Sequence, residues 1–183
     1  MNNKDKTHTS KLLSKHLRHD PQAIGLELAE GGWVLVEDLL AACRRHGKPL
    51  THLELSEIVT ESDKQRFAFD ATGTLIRAQQ GHSVPVDLQL APAVPPPVLY
   101  HGTVAAALPA IQREGLQKMN RHHVHLSPDL ETARRVGGRR GKPVLLAVDA
   151  AGLHDAGVVF YESGNGVWLV DHVPPAYLQQ LPT

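Results

Sequence analysis

The stretch VPVDLQLAPAVPPPV, residues 84–98, limits what this chain can fold into more than any other feature. It holds five of the 13 prolines in a sequence of 183 residues. Proline lacks the backbone N–H that helices and central strands need, and it pushes the preceding residue towards extended conformations. We therefore interpret residues 81–97 as an ordered or semi-rigid linker between two lobes. A proline-rich surface loop would predict the same boundary.

Residues 1–80 show helical patterns followed by a β-hairpin. SKLLSKHLR, residues 10–18, has the apolar spacing of a helix, with Ser10 as a candidate N-cap and a stop at HDP. A second helix is predicted where apolar side chains recur at i, i+3, i+4 and i+7, and a third where Thr51 and Glu54 form a capping-box pattern. RFAFDATGTLIRA predicts the hairpin. This order suggests a winged-helix lobe, a module that binds nucleic acids or other proteins.

Residues 98–183 alternate short strands with two short helices. The predicted strands are VLYHGT, HVHLS, KPVLLAVDA and a final hairpin of VVFYE with NGVWLVD. LPAIQREG and SPDLETARRVG read as helices, and Ser127 before Pro128 resembles the start of a capped helix. No glycine-rich dinucleotide motif follows a strand, and no P-loop sequence occurs. We therefore expect an α+β lobe with a split or mixed β-sheet.

Charge and cysteine content exclude several classes of protein. The 19 basic and 19 acidic residues divide evenly, with 11 of each up to Gln80 and 8 of each after it. Neither half is a basic polyelectrolyte, so contact with nucleic acid must come from local clusters of arginine and lysine. The single cysteine, Cys43, lies in an apolar helical pattern, which favours a buried thiol in a reducing cytosol. No run of about 18 apolar residues occurs, so we expect a cytoplasmic protein without membrane contact.

The stretch NRHHVHLS, residues 120–127, contains three histidines, a pattern that raises the hypothesis of a metal site. In a strand, His123 and His125 would share one face and His122 would point away. Two imidazoles do not complete a tetrahedral site, and no cysteine or acidic partner stands at a diagnostic spacing. We therefore predict no metal here, and we interpret His122 as an ordinary surface histidine.

YHGT, residues 100–103, gives a second strand-end histidine. His101 stands beside Gly102, which would let the backbone approach a ligand closely, and Thr103 adds a hydroxyl group. HLS places Ser127 just beyond His125. The ends of these two strands would form one polar crevice suited to a ligand.

Eight short motifs in this order resemble one known family. They are LSKHLRHDP, EGGWVLVEDLL, SDKQRFAF, IRAQQGHS, LYHGT, RHHVHLS, ARRVGGRRGKPVLL and NGVWL. The chain resembles the RNA 2′-phosphotransferases, also called tRNA 2′-phosphotransferases, from about Ser10 to Leu181. The resemblance implies an N-terminal winged-helix RNA-binding lobe and a C-terminal ADP-ribosyltransferase-like lobe that binds NAD⁺.

The resemblance also implies a reaction. The 2′-phosphate at a tRNA splice junction attacks the nicotinamide ribose of NAD⁺, nicotinamide leaves, and the RNA phosphate becomes ADP-ribosylated. The ribose 2″-hydroxyl then attacks the phosphate. The products are RNA with a free 2′-hydroxyl, ADP-ribose 1″,2″-cyclic phosphate and nicotinamide. NAD⁺ is consumed, no metal is required, and a monomer is expected.

Motif by motif, the family's functional residues fall on defined positions of this chain. The catalytic set corresponds to Arg18, His19, Arg66 and Arg121. Val167 stands where related ADP-ribosyltransferases carry a glutamate. The expected NAD⁺ contacts are His101, Gly102, Thr103, His125, Ser127, Gly137 and Arg139.

Structural, non-catalytic interpretations of the same residues stay open. An arginine at the end of a helix, such as Arg18, is usually a solvated cap partner. RRVGGRRG, residues 134–141, fits a phosphate-binding loop or a basic surface loop. Two other functions also remain: an ADP-ribosyltransferase with a different acceptor, and a winged-helix regulator without enzymatic activity.

Overall fold

The chain folds into two compact units, Met1–Gln89 and Leu90–Thr183. The computed structural model describes residues 1–62 and 64–182, and for Arg140 only the backbone. Asp63 of the SDKQRFAF motif, the Arg140 side chain of the 134–141 loop and Thr183 therefore lie outside the description. Residues 81–89 of the proline-rich region belong to the first unit and residues 90–97 to the second.

The first unit combines helices with a small antiparallel sheet. Its sheet has the strand order β1-β3-β2. Short 3-10 helices span Gln22–Ile24 and Glu30–Gly32. The elements in chain order are α1 (Asn3–Arg18), β1 (Val34–Leu35), α2 (Val36–Arg45), α3 (His52–Thr60), β2 (Phe67–Phe69) and β3 (Leu75–Ala78).

Helix α1 begins seven residues before the predicted start at Ser10, so that prediction was wrong. The side chain of Asn2 is the N-cap and accepts a hydrogen bond from the backbone N–H of Asp5 at 2.9 Å. The first two turns are polar and carry no apolar period, which is why the sequence pattern missed them. Ser10 instead lies inside the helix and is buried.

The other predictions for the first unit are largely confirmed. Helix α1 ends at Arg18, directly before HDP, and Thr51 and Glu54 form the capping box that starts α3. Strands β2 and β3 form the predicted hairpin. Before β1, Glu30–Gly32 forms a 3-10 turn in which Gly31 has a φ of 76°. Cys43 is buried in the core with the apolar faces of the helices.

The second unit is also mixed helix and sheet, which makes the described chain an α+β protein. Its described strand pairs are antiparallel and form three sheets, ordered β4-β9-β10-β7, β12-β8-β5 and β11-β6. The elements are β4 (Pro92–Ala93), β5 (Val98–Val104), α4 (Leu108–Glu114), β6 (Leu116–Gln117), β7 (Val124–Leu126), α5 (Leu130–Gly137), β8 (Pro143–Asp149), α6 (Ala150–Asp155), β9 (Phe160–Glu162), β10 (Trp168–Val170), β11 (His172–Val173) and β12 (Leu178–Gln180).

The long strands and both predicted helices of this unit are confirmed, but one boundary differs. Helix α5 is capped by Asp129, whose carboxylate accepts from the N–H of Thr132 at 2.7 Å, and not by Ser127. Ser127 instead forms an isolated bridge with Tyr100 of β5. The predicted β9–β10 hairpin is confirmed, and two further strands, β11 and β12, follow it.

Proline and hydrophobic side chains explain how the sheets end and pack. Pro92 lies in β4, which is an edge strand, where a missing N–H breaks no ladder. The core of the second unit packs β5, β7, β8, β9 and β10 around Leu99, Leu126, Val148, Phe160 and Val170. Within residues 1–62 and 64–182, the helices are too short or too polar to span a bilayer.

Candidate functional site

Three segments of the first unit converge at the C-terminal end of α1. Arg18 is the last residue of this helix, and its Nη2 donates to the backbone oxygen of Arg66 at 3.4 Å. The backbone N–H of Ser83 donates to the carbonyl oxygen of Arg18 at 2.9 Å. These two bonds join the end of α1 to Arg66, directly before β2, and to Ser83 of the IRAQQGHS motif. Arg66, which is 48 positions from Arg18, is thereby brought to the adjacent residues Arg18 and His19.

His19 lies at the exposed end of this cluster. Its Nδ1 lies 2.9 Å from the hydroxyl oxygen of Ser83. Ser83 is itself fixed by its backbone bond to Arg18, so the hydroxyl has a defined position relative to the ring. Ser83 therefore orients the imidazole of His19. Its role was missed from the sequence, although the GHS motif that contains it was noted.

Arg66 is held at both its backbone and its side chain. Its carbonyl oxygen accepts from the N–H of Gln79 at 2.9 Å as well as from Arg18. Its Nη1 donates to the hydroxyl of Ser10 at 3.0 Å, and Ser10 is only 4% exposed. A buried hydroxyl in the middle of α1 thus anchors a half-buried guanidinium group. Ser10 is a second residue whose role the sequence pattern did not indicate.

Arg66 also lines a cavity of about 420 Å³ that runs beside the first half of α1. We call it the α1 cleft. Its described charged lining consists of Lys6, Lys11, Lys64 and Arg66 with Glu57 and Glu61. One of the predicted catalytic arginines, Arg66, therefore lines the α1 cleft.

Arg77, in the IRAQQGHS motif, has a structural role. Its guanidinium lies 4.5 Å from the centre of the Trp33 ring, which is a cation–π contact. Its Nη1 donates to the backbone oxygens of Gly31 and Leu88, at 3.2 and 3.3 Å. Burial lowers the pKa of this guanidinium from its ordinary value. Arg77 thus ties the EGGW turn and the 81–89 segment to the sheet.

In the second unit, His101 and His125 lie on adjoining strands. The Nδ1 of His101 lies 3.1 Å from the backbone oxygen of His125. Tyr100 and Ser127 exchange two backbone hydrogen bonds of 2.9 and 2.8 Å. The predicted crevice residues His101, His125 and Ser127 are therefore brought together where β5 meets the end of β7.

The partners of the two rings define their tautomers. A backbone carbonyl only accepts, so His101 donates from Nδ1 to His125, and His125 donates from Nδ1 to the oxygen of His123 at 3.0 Å. Burial lowers the pKa of His101, the hydrogen bond to His125 partly offsets this, and the positive charge of Arg121 lowers it further. His101 is therefore a neutral imidazole at pH 7, with its acceptor lone pair on Nε2.

Arg121 lies in the exposed turn that leads into β7. Its backbone N–H donates to the oxygen of Lys118 at 3.0 Å. Its positive charge lowers the pKa of His101, so Arg121 acts electrostatically on the histidine crevice. His123, by contrast, packs against the ring of Tyr161 at 5.5 Å, and burial lowers its pKa. That contact gives His123 a packing role.

Helix packing requires a glycine at position 102, which is a reason that the sequence analysis did not predict. A Cβ at Gly102 would lie 1.8 Å from the backbone oxygen of Ala133, so helix α5 fills the space that the glycine leaves. A Cβ at Gly137 would in turn meet the backbone of Gly102 at 2.9 Å. These two glycines allow α5 to pack closely on β5. The prediction that their backbones also contact NAD⁺ stays a prediction.

The remaining predicted ligand residues lie on the same elements. Thr103 follows Gly102 in β5 and is half-buried, and Arg139 is exposed in the 3-10 helix Gly138–Arg140 after α5. Residues 1–62 and 64–182 contain no group of three or more histidine, cysteine or acidic side chains arranged to hold a metal ion. The expectation that no metal takes part stays a prediction.

Val167 lies directly before β10, whose Trp168 pairs with Leu126 of β7. It is held in the β9–β10 turn by Ser163, whose N–H donates to the oxygen of Val167 at 2.9 Å and whose hydroxyl accepts from the N–H of Val167 at 3.1 Å. His101, His125 and Val167 thus lie on three neighbouring segments, with an apolar side chain at the third.

Comparison with known proteins agrees with this arrangement of motifs. The family model described as RNA 2′-phosphotransferase, Tpt1 / KptA family, matches residues 4–172. A protein from Trichormus variabilis named probable RNA 2′-phosphotransferase is 60% identical over 172 residues, which are 94% of either chain. A protein of the same name from Streptomyces coelicolor is 61% identical over 170 residues, covering 93% of this chain and 92% of its own.

A relative of the same name from Burkholderia pseudomallei is 52% identical over 173 residues, or 94% of both chains. The family match and these relatives each extend across both units. This chain therefore belongs to the RNA 2′-phosphotransferase, Tpt1 / KptA family.

Proposed function

We propose that this protein is an NAD⁺-dependent RNA 2′-phosphotransferase that removes an internal 2′-phosphate from RNA, as at a tRNA splice junction. The products would be RNA with a 2′-hydroxyl, ADP-ribose 1″,2″-cyclic phosphate and nicotinamide. The observation that carries the proposal is the hydrogen-bonded cluster of Arg18, His19 and Arg66 at the end of α1. A cluster with two guanidinium groups and one imidazole suits a phosphate dianion better than any other common ligand.

The polar groups of the crevice in the second unit would bind NAD⁺. The Nε2 lone pair of neutral His101 can accept a hydrogen bond from a ribose hydroxyl, and the hydroxyls of Thr103 and Ser127 can donate or accept. Ser127 is tied to β5 by two backbone bonds, so these groups have fixed positions. Bound there, NAD⁺ would supply an electrophilic ribose carbon with a neutral leaving group and a ribose hydroxyl that takes up the phosphate.

Arg18 and Arg66 would bind the RNA 2′-phosphate and stabilise the charge on its oxygens. Each hydrogen bond between an arginine and a phosphate oxygen contributes about 1.5–3 kcal/mol. Because Arg66 is anchored to Ser10, its guanidinium needs little reorganisation to meet the phosphate. The nucleophile is already an anion and the leaving group is neutral, so a carboxylate base is unnecessary. The apolar Val167 is consistent with that requirement.

His19 would protonate the RNA 2′-oxygen as the phosphate departs. An unperturbed imidazole titrates near pH 6.5 and so exists in both forms near neutral pH. Its Nδ1 is held by Ser83 at 2.9 Å, which sets the direction of the other ring nitrogen. Arg121, which belongs to the second unit, would contribute positive charge to the reaction.

The test is release of the 2′-phosphate from a synthetic RNA, measured with and without NAD⁺ and in the presence of EDTA. We expect release to require NAD⁺ and to be insensitive to EDTA. Arg66→Gln should reduce kcat at least about a hundredfold, as for loss of a fixed transition-state donor. Arg44→Gln, a change of the same type at the exposed end of α2, should leave kcat unchanged. Release that needs Mg²⁺ and ignores NAD⁺ would overturn the proposal.

A further inference from the structure

The turn that carries Arg121 belongs to a loop that lies opposite a single residue of the neighbouring strands. Strands β6 and β7 pair antiparallel with β11 and β10, and β10 and β11 are separated by Asp171 alone. The connection from β6 to β7 is longer, since the six residues 118–123 lie between them. We call residues 118–123 the Arg121 loop. Such an excursion between paired strands depends on the contacts that hold its ends.

Asp171 interacts with both ends of the Arg121 loop. The Nζ of Lys118, the first residue of the loop, lies 2.6 Å from Oδ1 of Asp171. This bond is the main reason that the pKa of Asp171 is lowered, and the charge of His123, at the other end of the loop, also lowers it. Between these ends, the backbone N–H of Arg121 donates to the oxygen of Lys118 at 3.0 Å. Asp171 therefore anchors the residue to which the backbone of Arg121 is bonded.

The backbone of the loop is strained between Lys118 and Arg121. Met119 has a φ of 54°, in the left-handed region that residues with a side chain rarely adopt. Strain of this kind persists when the surrounding structure holds it in place. The side chain of Met119 is 83% exposed, so its own packing contributes little. The anchored Lys118, directly before Met119, is a contact that does hold this turn.

The ion pair between Lys118 and Asp171 is too exposed to serve mainly for stability. The two side chains are 48% and 74% exposed. Pairs at such positions contribute little to the free energy of unfolding, because water and salt screen the charges. Arg121, in contrast, acts electrostatically on His101 in the histidine crevice. The pair thus sets the geometry of the loop that carries a predicted catalytic charge.

We propose that Asp171 is a positioning residue for Arg121, which it holds in place through Lys118 and the turn 118–121. This rests on the proposed function, in which Arg121 contributes positive charge to the reaction. Loss of the Asp171 carboxylate would release the Arg121 loop and slow the step that Arg121 assists. Asp171 would act through Arg121 and not on RNA or NAD⁺ directly.

The experiment is a double-mutant cycle of Asp171 with Arg121, read as kcat on a 2′-phosphorylated RNA at saturating NAD⁺. Arg121→Gln should lower kcat about a hundredfold, as for loss of a transition-state donor. Asp171→Asn should lower kcat about tenfold and leave KM for NAD⁺ within about twofold of the wild type. In the Arg121→Gln background, Asp171→Asn should have no further effect, because the group that it positions is absent.

Three further variants separate positioning from a general loss of charge. Asp171→Glu keeps the carboxylate and should recover most of the wild-type kcat, because the flexible side chain of Lys118 can follow it. Lys118→Gln should reproduce the loss seen in Asp171→Asn. Glu114→Gln is the matched control, because it removes another exposed, ion-paired carboxylate from the same unit, and it should leave kcat unchanged.

The ring of His101 reports the position of Arg121 without any RNA. The charge of Arg121 lowers the pKa of His101, so Arg121→Gln should raise that pKa in an NMR titration. Asp171→Asn should also raise it, because the released loop carries Arg121 away. A direct effect of the lost Asp171 charge would have the opposite sign, since a carboxylate favours the charged imidazole. His101→Asn identifies the signal of this ring.

Several outcomes would overturn the proposal. One is an equal loss of kcat from Asp171→Asn in the wild-type and Arg121→Gln backgrounds, and another is an equal loss from Glu114→Gln. An unchanged or lowered pKa of His101 in Asp171→Asn would also overturn it. If the wild type transfers no phosphate, the proposed function fails, and the titration of His101 still tests whether Asp171 positions Arg121.

Discussion

One hydroxyl and one carbonyl orient the two imidazoles that the proposed reaction uses. Ser83 holds Nδ1 of His19 at 2.9 Å, and the backbone of His125 holds Nδ1 of His101 at 3.1 Å. His19 is exposed, whereas His101 is half-buried and its pKa is lowered by burial and by the charge of Arg121. These different surroundings suit a proton donor in one case and a neutral acceptor in the other.

Ser83→Ala should lower kcat about fivefold, because one neutral hydrogen bond is worth roughly 1 kcal/mol. Loss of the bond leaves His19 free to rotate, so the pH profile of kcat should also change while KM for NAD⁺ stays constant. Ser83→Thr keeps the hydroxyl and should restore the wild-type profile. If Ser83→Ala changes only thermal stability, Ser83 does not position His19.

The lowered pKa of His101 predicts a pH-dependent stability. In the unfolded chain this ring takes up a proton near pH 6.5, whereas the folded ring does so only at lower pH. The unfolded state therefore binds more protons, and the free energy of unfolding should fall as pH drops below about 6.5, by at most about 1.4 kcal/mol per pH unit for one group. This fall in the free energy of unfolding should level off once the pH is below the pKa of His101 in the folded protein. Urea unfolding between pH 5 and pH 8 measures it.

His101→Asn removes the titrating ring and keeps a donor for the carbonyl of His125. Its free energy of unfolding should depend less steeply on pH than that of the wild type between pH 6.5 and pH 5. The remaining slope would include His123, whose pKa is also lowered by burial. An unchanged slope would show that His101 is not the group that titrates.

The packing of α5 against β5 determines how rigidly the histidine crevice is built. Gly102→Ala would place a methyl group 1.8 Å from the oxygen of Ala133, and backbone cannot move aside cheaply. We expect this change to cost about 3 kcal/mol of unfolding free energy, at the upper end for overpacking. Gly138→Ala is the control, because nothing lies within 4 Å of the added Cβ. Equal midpoints in urea for the two variants would contradict the packing account.

Local patterns in the sequence predicted the helices and strands that have a clear period or a cap. The Thr51–Glu54 box, the β2–β3 hairpin and the long strand β8 are examples. The polar start of α1 and the two-residue strands β6 and β11 were missed. None of these three segments contains enough apolar residues to show the periodicity of a helix or a strand. Asp129 displaced Ser127 as the cap of α5 because its carboxylate reaches the N–H of Thr132.

The candidate site was predictable as a set of motifs but not as a geometry. Arg18, His19 and Arg66 were identified by resemblance, and nothing in their spacing indicated that Ser83 and Ser10 would hold two of them. Such contacts join residues that are 56 and 64 positions apart, so they depend on the tertiary fold. The packing role of Gly102, whose lack of a side chain admits helix α5, was not predicted, and its predicted contact with a ligand stays a prediction.

Across the full chain, the family match over residues 4–172 includes all four predicted catalytic residues. Under our proposal, the first unit supplies two arginines and a histidine for the phosphate, and the second supplies Arg121 and the histidine crevice for NAD⁺. A chain that only binds RNA would not need the second set.

The most direct test is mass spectrometry of the products formed from NAD⁺ and a short RNA that carries one internal 2′-phosphate. Our account predicts that the RNA loses the mass of one phosphate and that ADP-ribose 1″,2″-cyclic phosphate and nicotinamide appear in equal amounts. An RNA that instead gains a stable ADP-ribose group, or stays unchanged while NAD⁺ is bound, would contradict it.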